Sequence, residues 1–263
     1  RAYYDLGARY LTLTHNVTLD WADAAQDKLL HGGLTKFGEE VVREMNRLGM
    51  LVDLSHVSPG TMSDALNVTE SPVIFSHSAA RALVDVPRNV PDSILQRLPK
   101  NGGVVMVAFV PGFTSNKVVA WKKAQGERAE AALKRHAGDS AAARRDLKEW
   151  ERTHPFVNAT IADVADHIEH IRKVASVNNV GLGSDYDGTG NELPDGLGDV
   201  STFPALLVEL SKRGWSESDL RKVAGENVLR VMSENERIAA KLRRQRPAST
   251  KTIEELDGPR PKM

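Results

Sequence analysis

The chain has 263 residues, 41% of them hydrophobic and 27% charged, which is the composition of an ordinary globular domain. Lys and Arg together number 35, as do Asp and Glu, so no net charge is present to attract nucleic acid or an anionic membrane. The absence of cysteine excludes disulfides and thiolate metal ligands, and no stretch approaches the roughly 20 apolar residues of a membrane-spanning helix.

Short apolar runs rich in Val, Ile and Leu alternate with longer segments of helical period, which indicates parallel βα units. The predicted strands are Arg9–Thr14, Met50–Ser55, Pro72–Ser76, Gly103–Phe109 and Val180–Ser184. Five such units do not close a barrel, whereas an eight-stranded parallel barrel hides all of its strand edges. A helix-like segment, Ala2–Gly7, runs straight into the first strand. We therefore expect an α/β fold of the TIM-type (β/α)8 class, of which this sequence supplies about the last five βα units.

Helices are predicted between the strands from apolar residues at helical spacing and from capping residues. The predicted helices are Thr35–Leu48, Val90–Leu98, Ile161–Ala175 and one that begins at Ser216. His167 and His170 are expected on the polar side of the third. Residues 117–153 are dominated by Ala, Lys, Arg and Glu and predict a charged helical insertion. We assign residues 1–235 to the barrel and the charged, proline-containing residues 236–263 to an irregular tail.

Ionisable side chains follow four of the five predicted strands. His15 ends the first strand in YLTLTHN, His56 the second in MLVDLSH, and His77 the third in PVIFSH. Asp185 ends the fifth in VGLGSDYDG, and Asp187 follows two residues later. Because the C-terminal ends of the strands form the mouth of a parallel barrel, where ligands bind, we expect these side chains to meet there.

This pattern favours a metal site. Neutral imidazole is a good zinc ligand, and a catalytic zinc needs about three protein ligands and an open position for water. His56, His77 and Asp185 could supply such a set, and the metal would lower the pKa of its bound water. One His closing an apolar strand is more often a hydrogen-bonded core residue, but three at successive strand ends are hard to attribute to packing. Asp53, in the second strand, is expected to be a buried structural acid.

Other polar residues are less informative. Arg88, in DVPRNVPD after the third strand, either reaches the mouth and binds an anion or is a surface arginine, and the local sequence leaves both readings open. His31, His136 and His154 are expected to be structural or solvated, like the two histidines of the third helix. The Asn-x-Ser/Thr sequons at Asn16, Asn67 and Asn158 are a pattern that often occurs by chance.

Several of these strings, taken together, resemble the membrane (renal) dipeptidase family of zinc peptidases, within the amidohydrolase-type barrels. They are RYLTLTHN, LGMLVDLSHVS, PVIFSHSAAR, the RNVPD turn, VADHIEHI and GLGSDYDG. The resemblance covers roughly residues 1–233 and is weakest in 117–153. It implies a (β/α)8 barrel that holds two zinc ions, bridged by a Glu carboxylate and a hydroxide, and that cleaves dipeptides with a free C-terminal carboxylate.

The resemblance also implies a role for each matching residue. His56 and His77 resemble ligands of one zinc, and His15 resembles the residue that binds the substrate carbonyl and stabilises the oxyanion. Arg88 resembles the residue that pairs with the terminal carboxylate of the substrate. Asp185 resembles the catalytic acid/base, in place of the ligand role that the pattern alone allows. The implied reaction is hydrolysis by metal-activated hydroxide, with Asp185 passing a proton to the leaving amine.

One part of the family pattern is not matched. Family members carry a His-x-Asp pair on the first barrel strand and the bridging Glu, all of them upstream of the matched region. Residues 1–14 contain no His and only one acid, Asp5. We therefore expect this sequence to supply at most one half of the two-zinc site and to be inactive, or nearly so, on its own.

Two alternative functions stay open. One is a barrel hydrolase of another amide, a lactone or a phosphoester, because barrel mouths are easily repurposed. The other is a degenerate, non-catalytic barrel fragment that serves binding or oligomerisation. The expected partner is a dipeptide substrate, with no nucleic acid, and the resemblance is compatible with a homodimer. It also suggests an extracytoplasmic or membrane-associated location.

Overall fold

A single parallel sheet organises the chain. The computed structural model describes residues 1–190 and 192–259. Within them the sheet has the order β1–β2–β3–β4–β5, with strands β1 (Tyr10–Thr12), β2 (Leu51–Asp53), β3 (Ile74–Ser78), β4 (Val104–Ala108) and β5 (Val180–Ser184). Each strand pairs in parallel with the next one along the chain. Sequential parallel neighbours are the arrangement of consecutive βα units in a TIM-type barrel, so the predicted fold class is confirmed.

Helices connect the strands and cover the sheet. They are α1 (Ala2–Asp5), α2 (Lys36–Leu48), α3 (Pro59–Val68), α4 (Asp92–Leu95), α5 (Leu98–Asn101), α6 (Pro111–Thr114), α7 (Asn116–Arg135), α8 (Ser140–Thr153), α9 (Ile161–Val174), α10 (Phe203–Lys212), α11 (Glu217–Arg221), α12 (Asn227–Gln245) and α13 (Ile253–Asp257). Short 3-10 turns lie at Val177–Asn179 and Val200–Thr202, and a π-helical turn at Lys222–Glu226 joins α11 to α12. Among the described residues, no helix is both long enough and apolar enough to cross a membrane.

Both faces of the sheet are largely buried at β2, β3 and β4, as in other parallel sheets, whereas Tyr10 and Leu11 of the edge strand β1 are exposed. Successive strand residues point to opposite faces. Phe75 of β3 accordingly belongs to the large core cluster that contains Ile168 of α9, whereas its neighbour Ile74 packs in a smaller cluster with Val231 of α12. Full burial of one such side chain contributes about 1.5–3 kcal/mol, so the two layers of helices hold the strand ends in fixed positions.

The segment predicted as a charged insertion forms α7 and α8, which pack against each other. Asp146 of α8 accepts hydrogen bonds from Arg128 and Arg135 of α7. Lys122 of α7 forms an ion pair with Glu192, in the loop that follows β5. The helix pair therefore contacts the loop beyond Asp185.

The predicted irregular tail is wrong for its first part, because α12 continues to Gln245. Asn235, Ala239 and Leu242 are buried on one side of this helix, and the amide of Asn235 donates to the carbonyl of Pro72 at 2.9 Å. A buried face made of one Asn, one Ala and one Leu gives little hydropathy contrast, so the pattern did not reveal it. Residues 260–263 of the predicted tail lie outside the described residues.

Two predictions about helices are also corrected. The predicted helix Val90–Leu98 is two short helices, α4 and α5, because Pro99 has no N–H to continue the first one. His167 does not lie on the polar side of α9, since it is 1% exposed. Its Nδ1 accepts a hydrogen bond from the Ala80 backbone N–H at 2.9 Å, whereas its buried Nε2 has no hydrogen-bond partner among the described residues.

Candidate active site

Three histidines that are far apart in the sequence meet at the C-terminal side of the sheet. His15 follows β1, His56 follows β2, and His77 lies one residue before the end of β3, which begins and ends two residues later than predicted. The ring centroids of His15 and His56 are 4.2 Å apart, and those of His56 and His77 are 4.9 Å apart. The pairing of β3 with β4 shifts register between Phe75 and Ser78, so His77 lies where the strand departs from regular pairing.

The hydrogen bonds of the two inner rings determine which nitrogen carries the proton. An amide oxygen can only accept, so Nδ1 of His56 donates to Oδ1 of Asn16 at 3.1 Å. Ser76 gives its single hydroxyl proton to Asp53 at 2.6 Å, so Nδ1 of His77 must donate to Oγ of Ser76 at 2.7 Å. Each ring therefore presents an unprotonated Nε2, and these two atoms are 2.8 Å apart.

Both rings are held neutral. The pKa of His56 is lowered to about 3, mainly by burial and further by the charge of Arg88. Burial also lowers the pKa of His77, although the nearby Asp185 carboxylate acts in the opposite direction. A proton shared between the two Nε2 atoms is therefore disfavoured near neutral pH, and their lone pairs repel each other unless a cation lies between them. This donor set fits a metal ion that prefers imidazole.

The set is nevertheless small. Among the described residues, no group of three or more His, Cys, Asp or Glu side chains is arranged so that it could hold a metal ion. Two imidazoles are fewer than the roughly three protein ligands of a catalytic zinc. The described residues thus contain a pair of candidate ligands, and the three-residue set first derived from the strand ends is not assembled around one point.

Arg88 is a buried cation beside the histidines. It is 2% exposed, so it is not a surface arginine, which was one of the two interpretations that the sequence allowed. Its Nη2 donates to the carbonyl of His77 at 3.5 Å, its guanidinium lies 5.2 Å from the ring centroid of Phe113, and its Nη1 has no hydrogen-bond partner. Burial lowers the pKa of Arg88 to about 10, and Asp185 and Asp53 oppose the shift, so the group stays charged near neutral pH. A buried, incompletely paired guanidinium is suited to bind a carboxylate.

Asp185 lies on a strained turn after β5. Asp185 has a φ of 71°, Ser184 a φ of 47° and His56 a φ of 68°, and the described residues include no other non-glycine residue with positive φ. Such conformations are rare for residues with a side chain and concentrate at functional sites. Gly188 lies against the Asp185 carboxyl, where a Cβ would lie 2.9 Å from Cγ. Burial raises the pKa of Asp185, and His77 opposes the shift.

Asp53 is fully buried, as predicted, but it is also connected to the site. Its carboxylate accepts hydrogen bonds from Thr12 Oγ1, from the backbone N–H groups of Ser55 and Ser76, and from Ser76 Oγ. Sequence reasoning identified neither Ser76 nor Asn16 as a partner of a site histidine. The one available signal was position, because Ser76 directly precedes His77 and Asn16 directly follows His15.

The other histidines lie outside this cluster and have local partners, as expected for structural residues. They are His31 with the Leu19 carbonyl, His136 with Asp146, His154 stacked on Trp150, His167 with Ala80, and His170 with Asp92. The structure therefore brings His15, His56, His77, Arg88 and Asp185 into one electrostatically connected site and leaves the rest apart.

Comparison with known proteins matches one family over most of the chain. The family described as membrane dipeptidase (Peptidase family M19) matches residues 1–246. Dipeptidase 3 of Mus musculus is 40% identical over 256 residues, which is 95% of this chain and 44% of that protein. An uncharacterized dipeptidase of Schizosaccharomyces pombe is 44% identical over 238 residues, which is 90% of this chain and 49% of that protein. The chain spans less than half the length of these two curated relatives.

The fold of the chain also matches that of a solved structure. The probable dipeptidase PvdM from Pseudomonas aeruginosa superposes with a TM-score of 0.76 at 25% identity, over 90% of this chain and 65% of that one. The five βα units described above therefore have a counterpart in a larger protein, itself described as a probable dipeptidase.

Proposed function

Because the chain belongs to the membrane dipeptidase family, we propose that it forms part of a zinc-dependent dipeptidase that hydrolyses dipeptides with a free C-terminal carboxylate. The observation that carries the proposal is the convergence of two unprotonated Nε2 atoms, those of His56 and His77, at 2.8 Å. They lie beside Arg88, a buried cation whose Nη1 is unpaired. A metal-binding pair next to an anion-binding group suits hydrolysis of a small substrate that carries a carboxylate.

His56 and His77 would hold one zinc ion, which when bound supplies a Lewis acid and lowers the pKa of a water molecule. We propose two zinc ions in the complete site, with ligands of one of them supplied by this chain. Because a catalytic zinc has about three protein ligands and His56 and His77 are two, residues 1–263 alone are expected to be inactive or nearly so.

Arg88 would bind the terminal carboxylate of the dipeptide through its free Nη1 and so fix the scissile bond relative to the histidines. His15, which is exposed at the mouth, would donate a hydrogen bond to the carbonyl oxygen as negative charge develops on it. Asp185, whose pKa is raised by burial, would accept a proton from the attacking water and pass it to the leaving amine. Proton transfer near neutral pH is favoured when the pKa of the carboxyl is raised.

Metal content and hydrolysis of the full-length protein test the proposal together. Wild type should contain zinc and cleave dipeptides in a chelator-sensitive reaction. His77→Ala should lose activity by more than the roughly 10- to 100-fold typical of residues that only support a ligand. His170→Ala is the matched control, because His170 of α9 pairs with Asp92 of α4, outside the site, and its loss should leave activity unchanged. A full-length protein that binds no zinc and cleaves no dipeptide would overturn the proposal.

The substrate class has a separate test. If Arg88 binds the terminal carboxylate, dipeptide amides and esters should be much poorer substrates than the free acids. Equal rates on free and amidated dipeptides, or faster cleavage of a lactone or phosphoester, would favour the alternative hydrolase. An extracytoplasmic or membrane-associated location and a homodimer stay predictions from the family resemblance.

A further inference from the structure

We propose that Asp53 and Ser76 form a carboxylate–hydroxyl–imidazole relay that positions His77 for metal binding. Ser76 is thus a positioning residue that fixes the tautomer and orientation of His77, and Asp53 fixes Ser76. The inference rests on the proposed function in one respect, since it takes His77 as a metal ligand. From the sequence, Asp53 is expected only to be a buried structural acid, and the relay gives it a role in positioning His77.

The first step is that Asp53 is immobile. It is fully buried between three strands, with Thr12 of β1 donating to its Oδ2 at 2.6 Å. The backbone N–H groups of Ser55 and Ser76 donate to its Oδ1 at 3.0 and 2.9 Å. These donors come from β1, from the residues after β2 and from β3, so the carboxylate cannot turn without breaking bonds in all three units.

The second step is the direction of the proton in the relay. Ser76 Oγ lies 2.6 Å from Asp53 Oδ2 and 2.7 Å from His77 Nδ1. A hydroxyl has one proton, and the carboxylate can only accept, so Ser76 donates to Asp53 and accepts from His77. The proton of the neutral imidazole is therefore held on Nδ1, and the lone pair of Nε2 is left free to bind a metal ion. Ligating histidines generally use the second nitrogen in this way.

The third step is that the backbone of His77 is fixed as well. Its N–H donates to Ser55 Oγ at 2.9 Å, and Ser55 Oγ lies 3.2 Å from Ser78 Oγ. The ring can therefore change its direction mainly by rotating about its side-chain bonds. The bond from Nδ1 to Ser76 opposes that rotation.

The two candidate ligands, His56 and His77, differ in the hydrogen-bond partner that holds each imidazole ring. His56 donates to the neutral amide of Asn16 at 3.1 Å, and Asn16 is exposed, so water can replace it. His77 donates at a shorter distance to a half-buried hydroxyl that is itself bonded to a carboxylate. Loss of the Ser76 hydroxyl should therefore weaken metal binding more than loss of the Asn16 amide.

The experiment uses the full-length protein with Ser76→Ala, Ser76→Thr and Asn16→Ala. The control is Ser78→Ala, which removes a hydroxyl from the same strand that contacts Ser55 Oγ but no imidazole, and leaves the bond from the His77 N–H to Ser55 in place. Zinc affinity is measured by competition with a chromophoric chelator. Ser76→Ala should weaken zinc binding about 10- to 100-fold, Asn16→Ala less, and Ser76→Thr and Ser78→Ala only slightly. Wild-type affinity in Ser76→Ala, or an equal loss in Ser78→Ala, would overturn the inference.

A second readout needs no bound metal. Long-range ¹H–¹⁵N NMR of the imidazole rings in the zinc-free protein reports the tautomer of each histidine. His77 should carry its proton on Nδ1 in wild type and Ser76→Thr and lose that preference in Ser76→Ala. An Nε2–H tautomer for His77 in wild type would refute the relay even if Ser76→Ala does not fold. A wild-type protein that binds no zinc would overturn the proposed function and the inferred effect of Ser76 on zinc affinity. The NMR spectra would still decide, separately, whether Ser76 holds the proton of His77 on Nδ1.

Discussion

Replacing Gly188 with alanine should misplace the Asp185 carboxyl, the group proposed to transfer protons, while leaving the fold intact. A methyl group at Gly188 would lie 2.9 Å from Asp185 Cγ and 3.0 Å from its Oδ2. Nonbonded carbon atoms lie about 3.5–4.0 Å apart, so the carboxyl must withdraw by about 1 Å. Because that carboxyl is the free end of a side chain, it can move at little cost in stability. A displacement of about 1 Å at a reacting group costs about 10²-fold in rate, or about 2.7 kcal/mol in activation free energy.

The assay is kcat and KM for a free dipeptide with the full-length, zinc-loaded Gly188→Ala protein, together with its thermal unfolding. We expect kcat to fall about 100-fold, with KM and Tm close to wild type. Gly198→Ala is the control, since its added Cβ would meet no atom within 4 Å. If Gly188→Ala keeps wild-type kcat while Asp185→Asn is inactive, the position of the carboxyl does not limit proton transfer, and the reasoning fails.

Three further predictions follow from named contacts. Arg88→Lys should raise KM for free dipeptides about 10-fold or more, because an ammonium lacks the planar fork of the guanidinium, and a KM ratio near one would contradict this. Gly183→Ala should destabilise the fold by about 1–3 kcal/mol in urea unfolding, since its Cβ would press on the backbone carbonyls of Ser76 and Met106, and an unchanged midpoint would contradict it. Burial lowers the pKa of His167 to about 4, so the unfolded chain binds a proton below about pH 6.5 that the folded chain does not. That contribution to stability is complete above about pH 6.5 and decreases by about 3 kcal/mol by about pH 4, and His167→Asn should flatten this pH dependence in urea titrations.

The sequence was sufficient for the sheet and for the group of residues at its C-terminal side. Hydrophobic period identifies parallel βα units, and in such units the strand ends necessarily meet at one edge. The sequence alone therefore predicts that His15, His56, His77 and Asp185 lie together. The buried end of α12 was missed because Asn235 faces the core through hydrogen bonds, which hydropathy does not record.

The finer features of the site could not be predicted, because they depend on contacts between distant residues. The burial of Arg88 follows from a loop fixed by Asn89, whose amide donates to the carbonyls of Val84 and Phe113. The proton on His77 Nδ1 depends on an irregularity at the end of β3 and on the orientation of an acid from β2. No local sequence pattern determines either arrangement.

The most direct test of the account is the position of the metal in a crystal of the full-length protein grown with zinc. Anomalous diffraction collected above and below the zinc edge locates the ion without assumptions about ligands. We expect a zinc peak in bonding contact with Nε2 of both His56 and His77, at about 2.0–2.1 Å, with Nδ1 of each ring still bonded to Asn16 or Ser76. A zinc-loaded, active protein without a peak at these two nitrogens would contradict it.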